Sequence, residues 1–200
     1  MNLRGRKKGA NGQESRALLL KIAADEFAHH GFHGTKISSI VKKAQLTQPT
    51  FYLYFESKEA IYQELVDLFH EKLSFLTKKS RLEEGLDSHS LPIQIKHGLA
   101  NILTFFMENQ SLTRIGFFIS PQSEVIKKQM AKQIEENLLS EVEKGYFNPN
   151  IDMSMVSEGL IGVIERLTLT KLFQGEKEPE ALAREIVFLF LYGMNVPREC

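Results

Sequence analysis

The sequence predicts an all-α fold of about nine helices, a small N-terminal three-helix domain followed by a larger helical domain. Three observations carry this expectation. Apolar residues recur at the 3.6-residue helical period along the chain, and no run alternates as a half-buried strand would. Helix start and stop residues punctuate these stripes. Near the N-terminus a stripe of about two turns is followed, after three residues, by another short helix, the pattern of a helix-turn-helix.

Each element has its own signal. The first helix is expected to start at Asn11, with Glu14 as capping-box partner and Leu19, Ile22, Ala23 and Phe27 facing inward. Gly31 ends it, and His29 and His30 stand at its C-terminus, where a cation is stabilised. Thr35 is expected to cap the second helix, whose apolar set is Ile37, Ile40, Val41 and Ala44. After Ala44, Gln45 and Leu46, Thr47 caps the third, with Pro49 in the first turn, where a missing N–H costs nothing. Ser57 caps the fourth, over residues 58–79, whose stripe of Ile61, Leu65, Leu68, Phe69, Leu73 and Leu76 runs for ~33 Å, enough to join two domains. The polar stretch SRLEEGLDSHS reads as a loop. Helix five covers residues 91–109, the short aromatic segment SLTRIGFFIS makes a sixth, and residues 122–145 a seventh that YFNPN breaks. Residues 153–174 and 178–194 supply the last two.

Composition narrows the class. The 200 residues contain no apolar run long enough to span a membrane, and the basic N-terminus lacks the apolar core of a signal peptide, so the chain is expected in the cytoplasm. The single cysteine, Cys200, excludes an internal disulfide and a cysteine-based zinc site. Residues 1–60 hold ten Lys/Arg, among them Arg4, Arg6, Lys7 and Lys8, against five acids; the remainder holds 15 against 20. The N-terminal end therefore attracts a polyanion.

The third helix shows what that polyanion is. Leu19, Phe27, Ile40, Leu46, Phe51 and Phe55 supply a small core, which leaves Thr47, Gln48, Pro49, Thr50, Tyr52 and Tyr54 to face outward. Glutamine pairs bidentately with adenine, proline and threonine methyls meet thymine, and hydroxyls donate to phosphate oxygens. Lys58 adds a cation beside a helix N-terminus that already favours phosphate. The constellation reads as a double-stranded DNA interface. Its structural alternative is that Tyr52 and Tyr54 pack against the first helix.

The same residues carry a resemblance. Phe27, Gly31, Thr35, Ile37, Ile40, Ala44 and then LTQPTFYLYFESKEAIY resemble the N-terminal domain of the TetR family of bacterial transcriptional regulators, over roughly residues 12–65. The resemblance implies an all-helical homodimer bound to a near-palindromic operator, with a C-terminal domain that takes a small-molecule effector. It divides the chain into a DNA-binding domain over residues 1–57, with the helix-turn-helix at 36–55, and a ligand-binding and dimerisation domain over 58–200. It adds Thr35, Lys36 and Ser38 to the DNA contacts. Gln45 departs from the family, which usually has glycine there, so either a mildly strained positive φ or a slightly altered turn is expected.

Beyond residue 60 the pattern carries the reading. Gly159 and Gly162 with Val163 and Arg166, and Leu189 and Tyr192 in the continuous run IVFLFLYGM, present more apolar surface than a peripheral helix pair needs. An isologous four-helix interface between two chains uses it; burial within one chain is the alternative. Phe69, Leu73, Leu99, Leu103, Phe106, Phe117, Phe118, Leu138 and Ile164, with His97 and Arg114 as polar exceptions, are candidate walls of a hydrophobic ligand site, or else ordinary core. A ligand there would tilt helix four and change the spacing of the recognition helices. Histidines are isolated, no phosphate-binding glycine loop occurs and no nucleophile motif occurs, so no metal, cofactor or enzymatic activity is expected. A repressor released by a hydrophobic ligand is the leading reading; a helical small-molecule- or partner-binding protein with non-specific or architectural DNA binding is the alternative.

Overall fold

The computed structural model describes residues 10–87 and 89–194, and side chains from Gly12 onward. The capping role expected of Asn11, the basic residues Arg4, Arg6, Lys7 and Lys8, and Cys200 lie outside the described residues. Among the described residues there are nine α-helices and no strand. They are α1 (Ala10–Gly34), α2 (Ile37–Lys43), α3 (Gln48–Tyr52), α4 (Lys58–Lys79), α5 (Ser90–Glu108), α6 (Gln110–Thr113), α7 (Ser123–Glu143), α8 (Met153–Leu167) and α9 (Pro179–Tyr192). The single sixth helix expected from sequence is α6 running on into a π-helical turn, Arg114–Ile119, and α8 likewise ends in a π-helical turn, Thr168–Leu172. The chain forms two compact units: one runs to Phe69 and includes Ser111–Pro121, the other comprises His70–Gln110 and the chain from Gln122 onward. The first unit thus extends past residue 57.

In the first unit, α2 and α3 are too short to be stable alone and are held by a shared core. Leu19, Ala23 and Phe27 of α1, Ile40 of α2, Phe51 of α3, Ile61 and Phe69 of α4, and Ile115 and Phe117 of the π-helical turn are all fully buried in it. The Phe27 ring meets Tyr62 edge-on at 4.9 Å, the geometry aromatic quadrupoles favour. Leu46, Ile22 and Ile37 are half-buried, whereas Leu19, Phe27, Ile40, Phe51 and Phe55 are buried.

Backbone chemistry sets the path between helices. Leu46 N–H donates to Val41 O at 2.9 Å and Gln45 N–H to Lys42 O at 3.2 Å, the paired bonds of a Schellman motif, which demands a left-handed residue at Gln45. Gln45 has φ 55° and is the only described non-glycine residue with positive φ. A left-handed side chain costs about 1–2 kcal/mol, and glycine's extra chain entropy costs about 0.5–1 kcal/mol. Gln45→Gly is therefore expected to stabilise the fold by about 0.5–1 kcal/mol in urea unfolding; a loss of stability would show that the Gln45 side chain has a compensating role.

Thr35 does not cap α2. The N-cap is Lys36, without a side-chain bond, while the Thr35 hydroxyl and N–H both donate to Gly31 O, at 2.8 and 3.2 Å. The Gly31 carbonyl stands at the kink in α1 (φ 69°, ψ 172°), and the hydroxyl adds to the i to i−4 bond that Thr35 N–H already makes to it. Thr47 and Ser57 do cap: Thr50 N–H donates to Thr47 Oγ1 at 3.4 Å, and Ala60 N–H to Ser57 Oγ at 3.1 Å.

In the second unit α5 packs on α9 and α7 on α8. Lys127 of α7 joins Glu124 at 2.5 Å and Glu165 of α8 at 2.8 Å. The loop after α4 is tied to the end of α7. Leu82 N–H donates to Glu141 Oε1 at 3.1 Å, Lys144 Nζ to Leu82 O at 3.2 Å and Leu86 N–H to the Tyr146 hydroxyl at 2.8 Å. No helix among the described residues is long and apolar enough to cross a membrane.

Candidate nucleic-acid interface and apolar cavity

Helix α3 is oriented from one side by Phe51, fully buried, whose ring packs 5.6 Å from Phe55. Residues on the other faces are then pushed into solvent. Thr47, Gln48 and Pro49 are exposed, Tyr52 is 55% exposed and Leu53 is 78% exposed. Thr50 is half-buried, with its hydroxyl 2.9 Å from that of Thr47, so the two share a local hydrogen bond. Tyr54 differs from Tyr52. It is half-buried, and its hydroxyl lies against Gly12, 3.5 Å from where a Cβ would stand, so it holds the start of α1.

Helix α2 contributes the exposed Lys36, Ser38 and Lys42. Its position is set by Glu26, a buried α1 carboxylate that accepts from Lys43 Nζ and Ser39 Oγ, both at 2.6 Å. The Lys43 and Ser39 hydrogen bonds hold this carboxyl below its ordinary pKa. The pairing removes Lys43 and Ser39 from the set available to an anion.

Two expected DNA contacts turn inward. Thr35 is buried and bonded to Gly31 as described. Lys58 donates to Phe32 O at 2.9 Å and Thr35 O at 3.0 Å, with its ammonium 4.4 Å from the centre of the Phe32 ring. Its cation thus gathers the carbonyls left open where α1 ends. A sequence shows a cation near a helix start but not the carbonyl that a neighbouring helix presents to it.

The second unit holds an apolar cavity of about 180 Å³ that opens to solvent. Walls come from α5 (Ile95, Leu99, Ile102), α7 (Met130, Ile134, Leu138), α8 (Val156, Leu160, Ile164) and α9 (Ile186, Val187, Phe190). Polar lining is confined to Ser80, Asn137 and Glu141. Asn137 donates to Thr77 O at 3.1 Å, and burial raises the Glu141 carboxyl above its ordinary pKa.

Of the expected wall residues, Leu99, Leu138 and Ile164 line this cavity. Phe69, Arg114, Phe117 and Phe118 belong to the first unit instead. Leu103 and Phe106 are packed core, Leu73 borders a separate space between α4 and α7, and His97 borders another beside the end of α4. Ile95 and Ile102 complete the α5 wall, and the α9 wall comes from the same apolar run that the sequence assigns to an interface between two chains. On the outside of the unit, Gly159, Gly162 and Arg166 are exposed and Val163 half-buried on α8; Leu189 and Tyr192 are exposed on α9, beside Phe188. No group of three or more metal-ligating side chains occurs among the described residues.

Known proteins match both units. The family model for bacterial regulatory proteins of the tetR family matches residues 19–65, from Leu19 of α1 to Leu65 of α4. A transcriptional regulator of the helix-turn-helix type from Bacillus subtilis, YdgC, is 46% identical over 185 residues, covering 92% of this chain and 95% of its own. The fatty acid metabolism regulator protein of the same organism is 26% identical over 88% of this chain and 94% of its own. The structure of the transcriptional regulator FadR from Bacillus subtilis in complex with stearoyl-CoA superposes with a TM-score of 0.67 at 18% identity, covering 90% of this chain and 99% of that one. That likeness runs through the cavity-bearing unit as well as the helix-turn-helix. With 46% identity to YdgC along almost its whole length and the family's DNA-binding pattern on α2 and α3, the chain belongs to the TetR family of bacterial transcriptional regulators.

Proposed function

We propose that this regulator is a repressor that binds a near-palindromic operator as a homodimer and is released when an effector with a long apolar chain fills the cavity of the second unit. The observation that carries the effector reading is the cavity. Twelve of the wall residues named above are apolar, drawn from four helices, and polar lining is confined to Ser80, Asn137 and Glu141, a wall that suits an apolar chain. A fatty acid metabolism regulator among the relatives and stearoyl-CoA in the superposed structure support a fatty acyl chain as the occupant. Gln48, Pro49 and Tyr52 are assigned to base edges and sugar-phosphate, with Thr47, Thr50, Lys36 and Ser38 at the phosphates. Dimerisation is assigned to α8 and α9, where Gly159, Gly162, Val163, Arg166, Leu189 and Tyr192 lie on solvent-facing surface that a second copy would cover. Ser80, directly after α4, borders the cavity, and α4 supplies residues to both units, which makes this helix the element through which occupancy acts. A repressor of this kind works in the cytoplasm, where its operator is.

Footprinting on the DNA flanking its own gene tests the reading. Two half-sites about one helical turn or a multiple apart should be protected, protection should weaken steeply with salt, and palmitoyl-CoA should lift it. Protection spread evenly along any duplex would leave the alternative, non-specific DNA binding. Protection that palmitoyl-CoA and other long-chain amphiphiles leave intact would remove the effector assignment.

A further inference from the structure

We propose that Leu53 is a specificity-determining residue, which forms with Pro49 a two-point apolar stripe on α3 that reads the methyl groups of thymines in the major groove. The inference rests on the DNA-binding reading above and adds to it an apolar contact at the opposite end of α3 from Gln48. Leu53 is 78% exposed, the most exposed leucine among the described residues; the next, Leu139, is 48% exposed. A leucine exposed singly on a surface calls for no partner in general. This one stands on the helix that a TetR-family regulator presents to DNA.

The direction of the side chain follows from the helix. Phe51 is fully buried and turns one face of α3 to the core. Pro49 and Leu53 lie two residues before and after it, so at ~100° per residue each stands about 160° around the helix from the buried ring. They form an i, i+4 pair on the face turned most directly away from the protein, with Gln48 and Tyr52 as a second such row beside them. Leu53 caps the helix yet keeps helical backbone, with φ −72° and ψ −22°. Its N–H donates to Thr50 O at 3.3 Å, and the N–H groups of Tyr54 and Phe55 both donate to Phe51 O at 3.0 Å. Phe55 is itself buried, so Leu53 is carried on backbone held between two buried anchors and is presented rigidly to solvent.

Chemistry then selects the partner. A leucine side chain has no group to offer a phosphate oxygen or a polar base edge. Among the groups that base pairs present in the major groove, the apolar one is the C5-methyl of thymine. Covering it with the leucine tip removes apolar surface of both from water, whereas cytosine carries only a hydrogen at that place. Pro49 and Leu53 are ~6 Å apart along the helix axis, against ~3.4 Å for one base step, so the stripe matches two thymines about two base pairs apart in each half-site.

Selection from a pool of random-sequence duplexes, run with the purified full chain and with Leu53→Ala, tests this. Wild type should select half-sites with two thymines about two base pairs apart, one of which Leu53→Ala no longer requires. Replacing that thymine by deoxyuridine, which removes only the methyl, should weaken wild type about fourfold per half-site, the worth of one buried methylene, and so about 15-fold for the two half-sites of a dimer. The same replacement should leave Leu53→Ala unaffected. Leu53→Met, which keeps an apolar tip, should retain most of the wild-type preference, and thermal unfolding should not distinguish the three proteins because the side chain is exposed. Selection of the same half-sites at the same affinity by Leu53→Ala would overturn the proposal, as would an equal loss by that variant on thymine and deoxyuridine duplexes, the mark of a contact to sugar; both leave the DNA-binding reading standing. Recovery of no preferred sequence by wild type would overturn both.

Discussion

Gly116→Ala is expected to destabilise the first unit by about 2–3 kcal/mol, because the added methyl has nowhere to go. A Cβ at Gly116 would lie 2.1 Å from Phe69 Cδ1, 2.4 Å from Cγ and 2.8 Å from Cβ. A clash with the tip of a flexible side chain is cheap to relieve, but here the obstruction includes the Phe69 Cβ, which moves only with α4. Phe69 is also fully buried, and its ring lies 6.1 Å from that of Phe117, so it cannot swing into solvent. Gly162→Ala is the control: nothing lies within 4 Å of its Cβ position, and the substitution should gain up to about 1 kcal/mol of helix propensity within one chain. Urea unfolding of both variants separates the cases. A Gly116→Ala protein within about 0.5 kcal/mol of wild type would mean that the packing of α4 on the π-helical turn is looser than these distances require.

Gln48→Ala should cost about 1–3 kcal/mol of operator discrimination in each half-site, and so about 2–6 kcal/mol for a dimer that engages two. The reason lies in the position of Gln48 as the first residue of α3, exposed, with Thr47 capping the helix before it and Phe51 anchoring it behind. Nothing in the fold uses its amide, so stability should not change. Lys36→Ala should act differently: it removes an exposed cation at the N-cap of α2, weakens specific and random duplexes alike, and lowers the salt slope by about one per half-site. Competition binding over a salt series reads both. If Gln48→Ala kept the full ratio of specific to random affinity, α3 would not be reading bases.

Lys58 shows how geometry redirects such an argument. From its place beside Ser57 it reads as a phosphate contact, yet its ammonium bridges two backbone carbonyls over the Phe32 ring. Substituting it would disturb the end of α1 as well as any bound DNA, so it cannot separate phosphate contact from fold. Lys36 can.

Local chemistry alone determined most of the fold. The helix count, both ends of α4, the caps at Thr47 and Ser57, and the positive φ at Gln45 all follow from interactions within a few residues, which a sequence displays directly. The outward set on α3 was legible for the same reason, since a five-residue helix with one buried anchor, Phe51, must expose its neighbours. Contacts between distant segments were decided by the tertiary structure. Periodicity says that Leu99 and Leu103 both face inward, but Leu99 borders an open cavity and Leu103 is packed solid, because that difference depends on what stands opposite each. Phe69 and Phe117 read as possible ligand walls and instead fill the core of the first unit, where Gly116 admits the ring. Thr35 and Lys58 likewise found partners in carbonyls at the kink and end of α1. An apolar or cationic side chain carries its preference in the sequence, whereas its partner is set by which surfaces the fold brings together.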